Sequence, residues 1–213
     1  MKIFIICGHY GVGKTNFSLN FALSMKGKTA LCDMDVVNPY FRSGDYAKLL
    51  ESRGIDVVAP VALGTTVDAP FISPKVKSLF CGDYDTVIID AGGDDVGATA
   101  LGQFSEDIKN CGYEMLYVIN KYREQTTNPE APVEILREIE TASRLKATAL
   151  CNNSHLCDET TSEIVRDSFS FAEEVSKITN LPIKYTVIRE DLVKDFPDAP
   201  NIFPVSRMVL PPW

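Results

Sequence analysis

Along the chain, short apolar runs bounded by turn residues alternate with longer stretches whose apolar positions recur every three or four residues. The runs are KIFIIC at 2–7, TALCDMD at 29–35, DVVAPV at 56–61, DTVIID at 85–90, EMLYVIN at 114–120, ATALCNN at 147–153 and IKYTVI at 183–188. Nearly continuous apolar character marks strands covered on both faces, and helices between strands are the crossovers that parallel pairing needs. Helical spacing is plain from Pro132 to Leu145, where Ile135, Leu136, Ile139 and Ala142 share a face and Pro132 suits a first turn. It recurs from Glu163 to Ile178, with Val165, Phe169, Ala172 and Val175 on one side. Another helix is expected from Lys14 to about Lys26, stopped by Gly27. The pattern predicts an α/β fold of three layers, a mostly parallel central sheet flanked by helices, in a single domain over residues 1–213.

Ligands of such sheets sit beyond the carboxyl ends of the strands, which directs attention to 8–15, 33–45, 90–97, 120–123 and 152–155. The first window reads Gly8-His9-Tyr10-Gly11-Val12-Gly13-Lys14-Thr15 and is followed by Asn16. It matches G-x-x-x-x-G-K-[ST] between a predicted strand and a predicted helix, the context this phosphate loop requires. Glycines let successive backbone N–H groups point inward at phosphate oxygens, and the helix start adds partial positive charge. In that arrangement Lys14 reaches the β and γ phosphates and the Thr15 hydroxyl ligates Mg²⁺. Asp90 ends the TVII run and is followed by Gly93 in D-x-x-G spacing, which suits a carboxylate holding a magnesium-bound water and a glycine N–H sensing a γ-phosphate. The second run ends in Asp33 and Asp35, two carboxylates on the same side of a strand. Asp35, at the carboxyl end, is placed to orient an attacking water or hold a magnesium-bound one; Asp33 reads as structural.

Composition narrows the class without choosing a function. The net charge of -8 argues against nonspecific grip on nucleic acid or anionic lipid, which depends on clustered Lys and Arg. No apolar stretch approaches the roughly 20 residues of a membrane helix, and MKIFIIC runs straight into a glycine turn, unlike a signal peptide. A cytoplasmic protein is expected. The six cysteines form no C-x-x-C pair and read as buried thiols, with Cys111 the candidate if two subunits were to share a metal.

Taken together, the loop at 8–15, the D-x-D at 33–35 and the Asp90 segment resemble the deviant Walker A branch of P-loop NTPases. That branch includes MinD/ParA-type ATPases, the nitrogenase iron protein, arsenical-pump ATPases and metal-cofactor maturation factors. DVVNPYFRS at 35–43 resembles an uncharacterised ATP-binding subfamily within it. The family loop reads K-G-G-x-G-K-[ST], its first lysine crossing a dimer interface. Here His9 stands at that lysine and Tyr10 at the next glycine. A homodimer remains compatible with the family, while the lysine-bridged form of it loses its lysine.

Guanine readers place N-K-x-D after a strand, but INKYR puts Arg123 where the Asp belongs and CNNSH puts His155 there. Adenine is therefore favoured. The resemblance implies that Asn152, or failing it Asn153, holds the base, and YTVIRED resembles the segment lining the family's base pocket. The expected function is a slow Mg-dependent ATPase, binding ATP and ADP and acting as a nucleotide switch on a partner protein, cofactor maturation included. The alternative is a small-molecule kinase or ATP-dependent synthetase resembling dethiobiotin and cobyrinate amidating enzymes, with His9, Tyr10, Arg42, Asp94 and Asp95 facing the substrate.

Overall fold

The computed structural model describes residues 1–34, 46–58, 74–93 and 95–209. Expectations that fall on Asp35, Arg42 and Asp94 lie outside the described residues. Seven strands form on the seven apolar runs: β1 (Lys2–Cys7), β2 (Thr29–Met34), β3 (Ile55–Val58), β4 (Thr86–Ala91), β5 (Tyr113–Ile119), β6 (Ala149–Asn152) and β7 (Ile183–Arg189). An eighth, β8 (Ile202–Val205), lies in IFPV, which the apolar pattern did not mark. All pairings are parallel, in the order β3-β2-β4-β1-β5-β6-β7-β8. Pro204 of β8 is tolerated because this strand is an edge, where one side needs no ladder donor.

The two faces of the sheet are sorted by the period of two along each strand. Ile3, Ile5 and Cys7 of β1 enter one core together with Val87, Ile89, Met115 and Tyr117. Phe4 and Ile6 enter the other with Leu31, Ile88, Leu116 and Val118. The first face is covered by the short helices α3 (Pro74–Leu79), α4 (Asp95–Gly102) and α5 (Ser105–Cys111) and by the longer α6 (Glu130–Ser143) and α7 (Ser162–Thr179). On α6 the buried stripe is Val133, Leu136 and Ile139, and on α7 it is Val165, Phe171, Ala172 and Val175, close to the predicted faces. The second face is covered by α1 (Lys14–Ser24) and by Leu50 of α2 (Ala47–Ser52). Helix α1 ends at Ser24, slightly before the expected Lys26, and Gly27 takes a φ of 83° in the turn beyond.

Five aromatic rings fix α1 to the sheet. Phe21 meets Phe4 edge-on at 5.0 Å between centroids and lies 5.7 Å from Tyr185, while Phe17 meets Phe203 of β8 at 5.3 Å. Helix α1 is thus held from β1, β7 and β8 at once. Phe21 is fully buried, so Phe21→Ala should remove roughly 3–5 kcal/mol of stability, read as a lower urea midpoint. A loss below about 1 kcal/mol would mean that this cluster collapses around the vacancy instead of anchoring the helix.

Candidate functional site

The loop between β1 and α1 follows a path that only glycine permits at its key points. Gly8, Gly11 and Gly13 have φ of 147°, 75° and 89°, values that cost any residue bearing a Cβ. A methyl group on Gly8 would lie 2.4 Å from the Val118 carbonyl oxygen, and one on Gly13 would lie 2.4 Å from Asn153 Nδ2 and 2.9 Å from His155 Nε2. Lys14, the first residue of α1, is buried, and its Nζ donates to the His9 carbonyl at 3.2 Å. A glycine turn leading into a helix start with an ammonium folded over it is an anion-binding arrangement. Val12 is buried beneath it, whereas the Tyr10 side chain is 58% exposed at its mouth.

On the β4 side the parallel register sets Asp33 directly beside Asp90, and both are buried. Asp90 Oδ1 accepts from Ser18 Oγ at 3.1 Å, and the nearby Thr15 hydroxyl favours the charged form of this carboxyl. Asp90 Oδ2 is buried and, among the described residues, has no hydrogen-bond partner. Loss of water, then the neighbouring Asp33 charge, raise the Asp90 carboxyl from 3.8 to about 7, against the opposing pull of Lys14, Thr15 and Ser18. A carboxylate with an unspent oxygen beside a threonine hydroxyl is a hard oxygen donor set, which fits Mg²⁺ and its waters. Gly93 closes the same side: a methyl group there would lie 2.7 Å from Lys14 Nζ and 2.8 Å from the Tyr10 nitrogen. Among the described residues no three His, Cys, Asp or Glu side chains gather into a metal-holding group. Cys111 is half-buried with its Sγ 3.8 Å from the Phe80 carbonyl oxygen.

On the other side the ends of β5 and β6 brace the loop. Asn153 Nδ2 donates to the Val12 carbonyl at 2.8 Å, holding the loop from below. Asn152 points the opposite way: its Nδ2 donates to Ser168 Oγ at 2.9 Å, and its Oδ1 accepts from Ser154 Oγ at 2.7 Å. Of the two asparagines, then, the second reaches the loop, and the first spends its amide on α7 and its own turn. Asn120, which sequence reading treated only as part of a guanine motif, bonds through its side chain to Tyr122 N and to both backbone groups of His155. His155 is half-buried, and loss of water, followed by Arg123 and Arg207, lowers its pKa to about 4. It is therefore neutral at pH 7; its Nδ1 accepts from Cys157 N at 3.2 Å, which leaves the proton on the Nε2 facing Gly13.

Asn16 connects the loop to the last described residues. Its Oδ1 accepts from Met208 N at 2.8 Å and its Nδ2 donates to the Ser206 carbonyl at 3.2 Å, while Asn20 holds Ser206 from both sides. The predicted residues Gly8 to Asn16, Asp90, Gly93 and Asn153 thus converge at one end of the sheet. Arg123, His155 and the 206–209 strap are additions. The windows at 120–123 and 152–155 signalled two of them, and nothing in the sequence pattern signalled the strap.

Eight parallel strands in this order, with the glycine loop leading from the central β1 into α1, define a P-loop NTPase fold. Similar solved structures include a signal recognition particle receptor, FtsY, and two further proteins of the name FtsY. FtsY from Elizabethkingia anophelis in complex with GDP has a TM-score of 0.56 and 22% identity, over 88% of this chain and 57% of that one. Cell division protein FtsY from Thermotoga maritima has a TM-score of 0.57 and 18% identity, over 87% and 61%. Chloroplast FtsY from Physcomitrella patens has a TM-score of 0.54 and 16% identity, over 87% and 58%. At these identities the likeness is one of fold, and this chain spans less than two thirds of each FtsY chain. No protein-family model matches the sequence, and no curated protein matches it.

The Asp90 carboxyl holds its proton more tightly folded than unfolded. Its contribution to stability is therefore full below the ordinary carboxylate value and is lost as pH rises toward about 7. In thermal unfolding from about pH 5 to pH 8, Asp90→Asn should lose less stability than the parent and be the more stable of the two at the upper end. Parallel pH profiles would show that burial does not neutralise this group.

Proposed function

We propose that this chain binds ATP with Mg²⁺ at Gly8 to Thr15 and hydrolyses it slowly, as a cytoplasmic single-domain switch that acts on a partner protein. The observation that carries this reading is the meeting, on one glycine loop, of the buried Lys14 ammonium and an Asp90 carboxylate with an unspent oxygen. Backbone N–H groups of the loop and of Asn16 hold the phosphates, and Lys14 offsets charge on the β and γ groups. Thr15 and Asp90 hold the metal and its waters. Mg²⁺ supplies charge neutralisation along the phosphate chain when bound. The Gly93 N–H meets the γ-phosphate, so that its presence is felt by the segment leading into α4. Asp35, the residue after Met34 in the sequence, orients the attacking water in this scheme.

Adenine is favoured over guanine by where the carboxylates are committed. A guanine edge needs a carboxylate that accepts from its N–H groups. Asp158 and Asp191, which follow β6 and β7, are held by Arg207 and Arg189 respectively. Asn153, bound to the Val12 carbonyl, and the neutral His155 complete this end. One of the FtsY structures carries GDP, which makes guanine nucleotides the informative competitor.

Calorimetric titration with ADP, GDP and non-hydrolysable ATP and GTP analogues, alongside phosphate release from ATP and GTP, tests the reading. Adenine nucleotides should bind more tightly, with turnover requiring Mg²⁺. Lys14→Ala should weaken triphosphate binding by roughly 100-fold or more, as expected when a charge-assisted contact is lost and its site left unpaired. Preference for guanine, or phosphate release that survives in Lys14→Ala, would sink it. Gly93→Ala should press on Lys14 and Tyr10 and cut turnover by about tenfold or more while ADP still binds; unchanged turnover would remove Gly93 from the site.

A further inference from the structure

Among the described residues, two buried side-chain polar atoms have no hydrogen-bond partner: Asp90 Oδ2 and Arg123 Nε. Both stand against the same loop, on opposite sides of it. The first belongs to the magnesium side already described. The second has no place in that scheme.

Arg123 follows β5, and β5 lies next to β1 in the sheet, so the turn leaving β5 adjoins the loop leaving β1. A methyl group on Gly11 would lie 3.5 Å from Arg123 Nε and 3.6 Å from its Cζ, so the guanidinium is packed along the loop. The turn that carries it is firmly tied. Tyr122 N donates to Asn120 Oδ1 at 3.0 Å, Thr126 N donates to the Arg123 carbonyl at 2.9 Å, and Thr126 Oγ1 donates to the Asn120 carbonyl at 2.6 Å. Its other polar side chains face elsewhere: Lys121 Nζ pairs with Asp167 at 2.6 Å, and the Tyr122 hydroxyl bonds to Ile164 and Asp167 on α7. Of this turn, Arg123 alone is placed against the loop.

The neighbouring guanidiniums have their anions. Arg189 pairs with Asp191 and Arg207 with Asp158, whereas among the described residues no carboxylate pairs with Arg123. A guanidinium N–H that has lost water without gaining an acceptor is costly, and beside a phosphate loop the missing acceptor has an obvious chemistry. Lys14 Nζ lies toward Gly93 on the β4 side. A nucleotide's phosphate chain carries more negative charge than one ammonium offsets.

We propose that Arg123 is a phosphate-binding residue: when nucleotide enters the loop, its guanidinium donates to a phosphate oxygen from the β5 side, opposite Lys14. The inference rests on the nucleotide reading above. It makes the phosphate site two-sided within one chain, with a point charge on one flank and a planar, forked donor on the other.

Calorimetry with ADP, a non-hydrolysable ATP analogue and adenosine, on the parent, Arg123→Ala, Arg123→Lys and Lys121→Gln proteins, decides it. Arg123→Ala should bind ADP and the ATP analogue roughly 10- to 100-fold more weakly, the loss expected for a charge-assisted hydrogen bond. It should bind adenosine as the parent does, because adenosine has no phosphate. Arg123→Lys should recover part of the loss, and Lys121→Gln should show none. Thermal unfolding of unliganded Arg123→Ala should be no lower than the parent's, since the substitution removes an unsatisfied buried group. Equal binding of ADP and the analogue by parent and Arg123→Ala overturns the proposal. So does an equal loss for adenosine, which would mark Arg123 as a packing residue. If the parent binds no nucleotide, the underlying reading fails as well, an outcome distinct from both.

Discussion

The loop from Gly8 to Gly13 is braced by the ends of the strands around it, and the architecture follows from that bracing. The Val118 carbonyl lies under Gly8, Asn153 and His155 under Gly13, Arg123 beside Gly11, and Gly93 over Tyr10 and Lys14. These contacts come from the ends of β4, β5 and β6. Only a sheet in which β1 is central, with β4 and β5 as its immediate neighbours and β6 next in line, brings them together. The left-handed glycines make this approach sterically free, and the packing in turn fixes a backbone that would otherwise sample many conformations.

This end of the sheet concentrates charged and polar groups. Two carboxylates sit side by side on neighbouring strands, among the described residues one buried oxygen and one buried guanidinium N–H are unmatched, and a lysine is folded onto a carbonyl. The paired carboxylates and the unmatched buried atoms are unfavourable by themselves. The core elsewhere absorbs the strain through the two apolar layers and the aromatic cluster under α1. A group that binds the native state and satisfies these atoms adds its binding energy to stability, so ligand binding and folding are linked at this site.

Much of the fold was legible because its strands are buried on both faces, which makes them continuous apolar runs that few other structures produce. β8 escaped because IFPV is short and contains a proline, and proline argues against a strand until the strand is known to be an edge. The six-residue helices α2 and α3 are too short to display a period. Within the site, the loop was legible because its chemistry is local, with residue types fixed by backbone geometry over eight consecutive positions. Asn152 and Asn153 were not separable, since adjacent residues at a strand end face opposite ways and a shift of one residue exchanges loop for α7. Arg123 was visible in sequence as a residue that breaks a guanine motif. Its position against Gly11 depends on strand order, which spacing along the chain does not contain.

The strap from Ser206 to Val209 gives the chain a directional dependence. Asn16 lies two residues past the lysine of the loop, yet its side chain is satisfied by Met208, a separation of 192 residues. Phe17 is likewise packed on Phe203. During synthesis from the amino end, the helix that opens the binding loop is made long before the segment that clamps it. Until residues near 209 have emerged, α1 has neither the last strand beside it nor the clamp on its first turn. The competence of the loop is therefore timed by a segment 192 residues further along the chain.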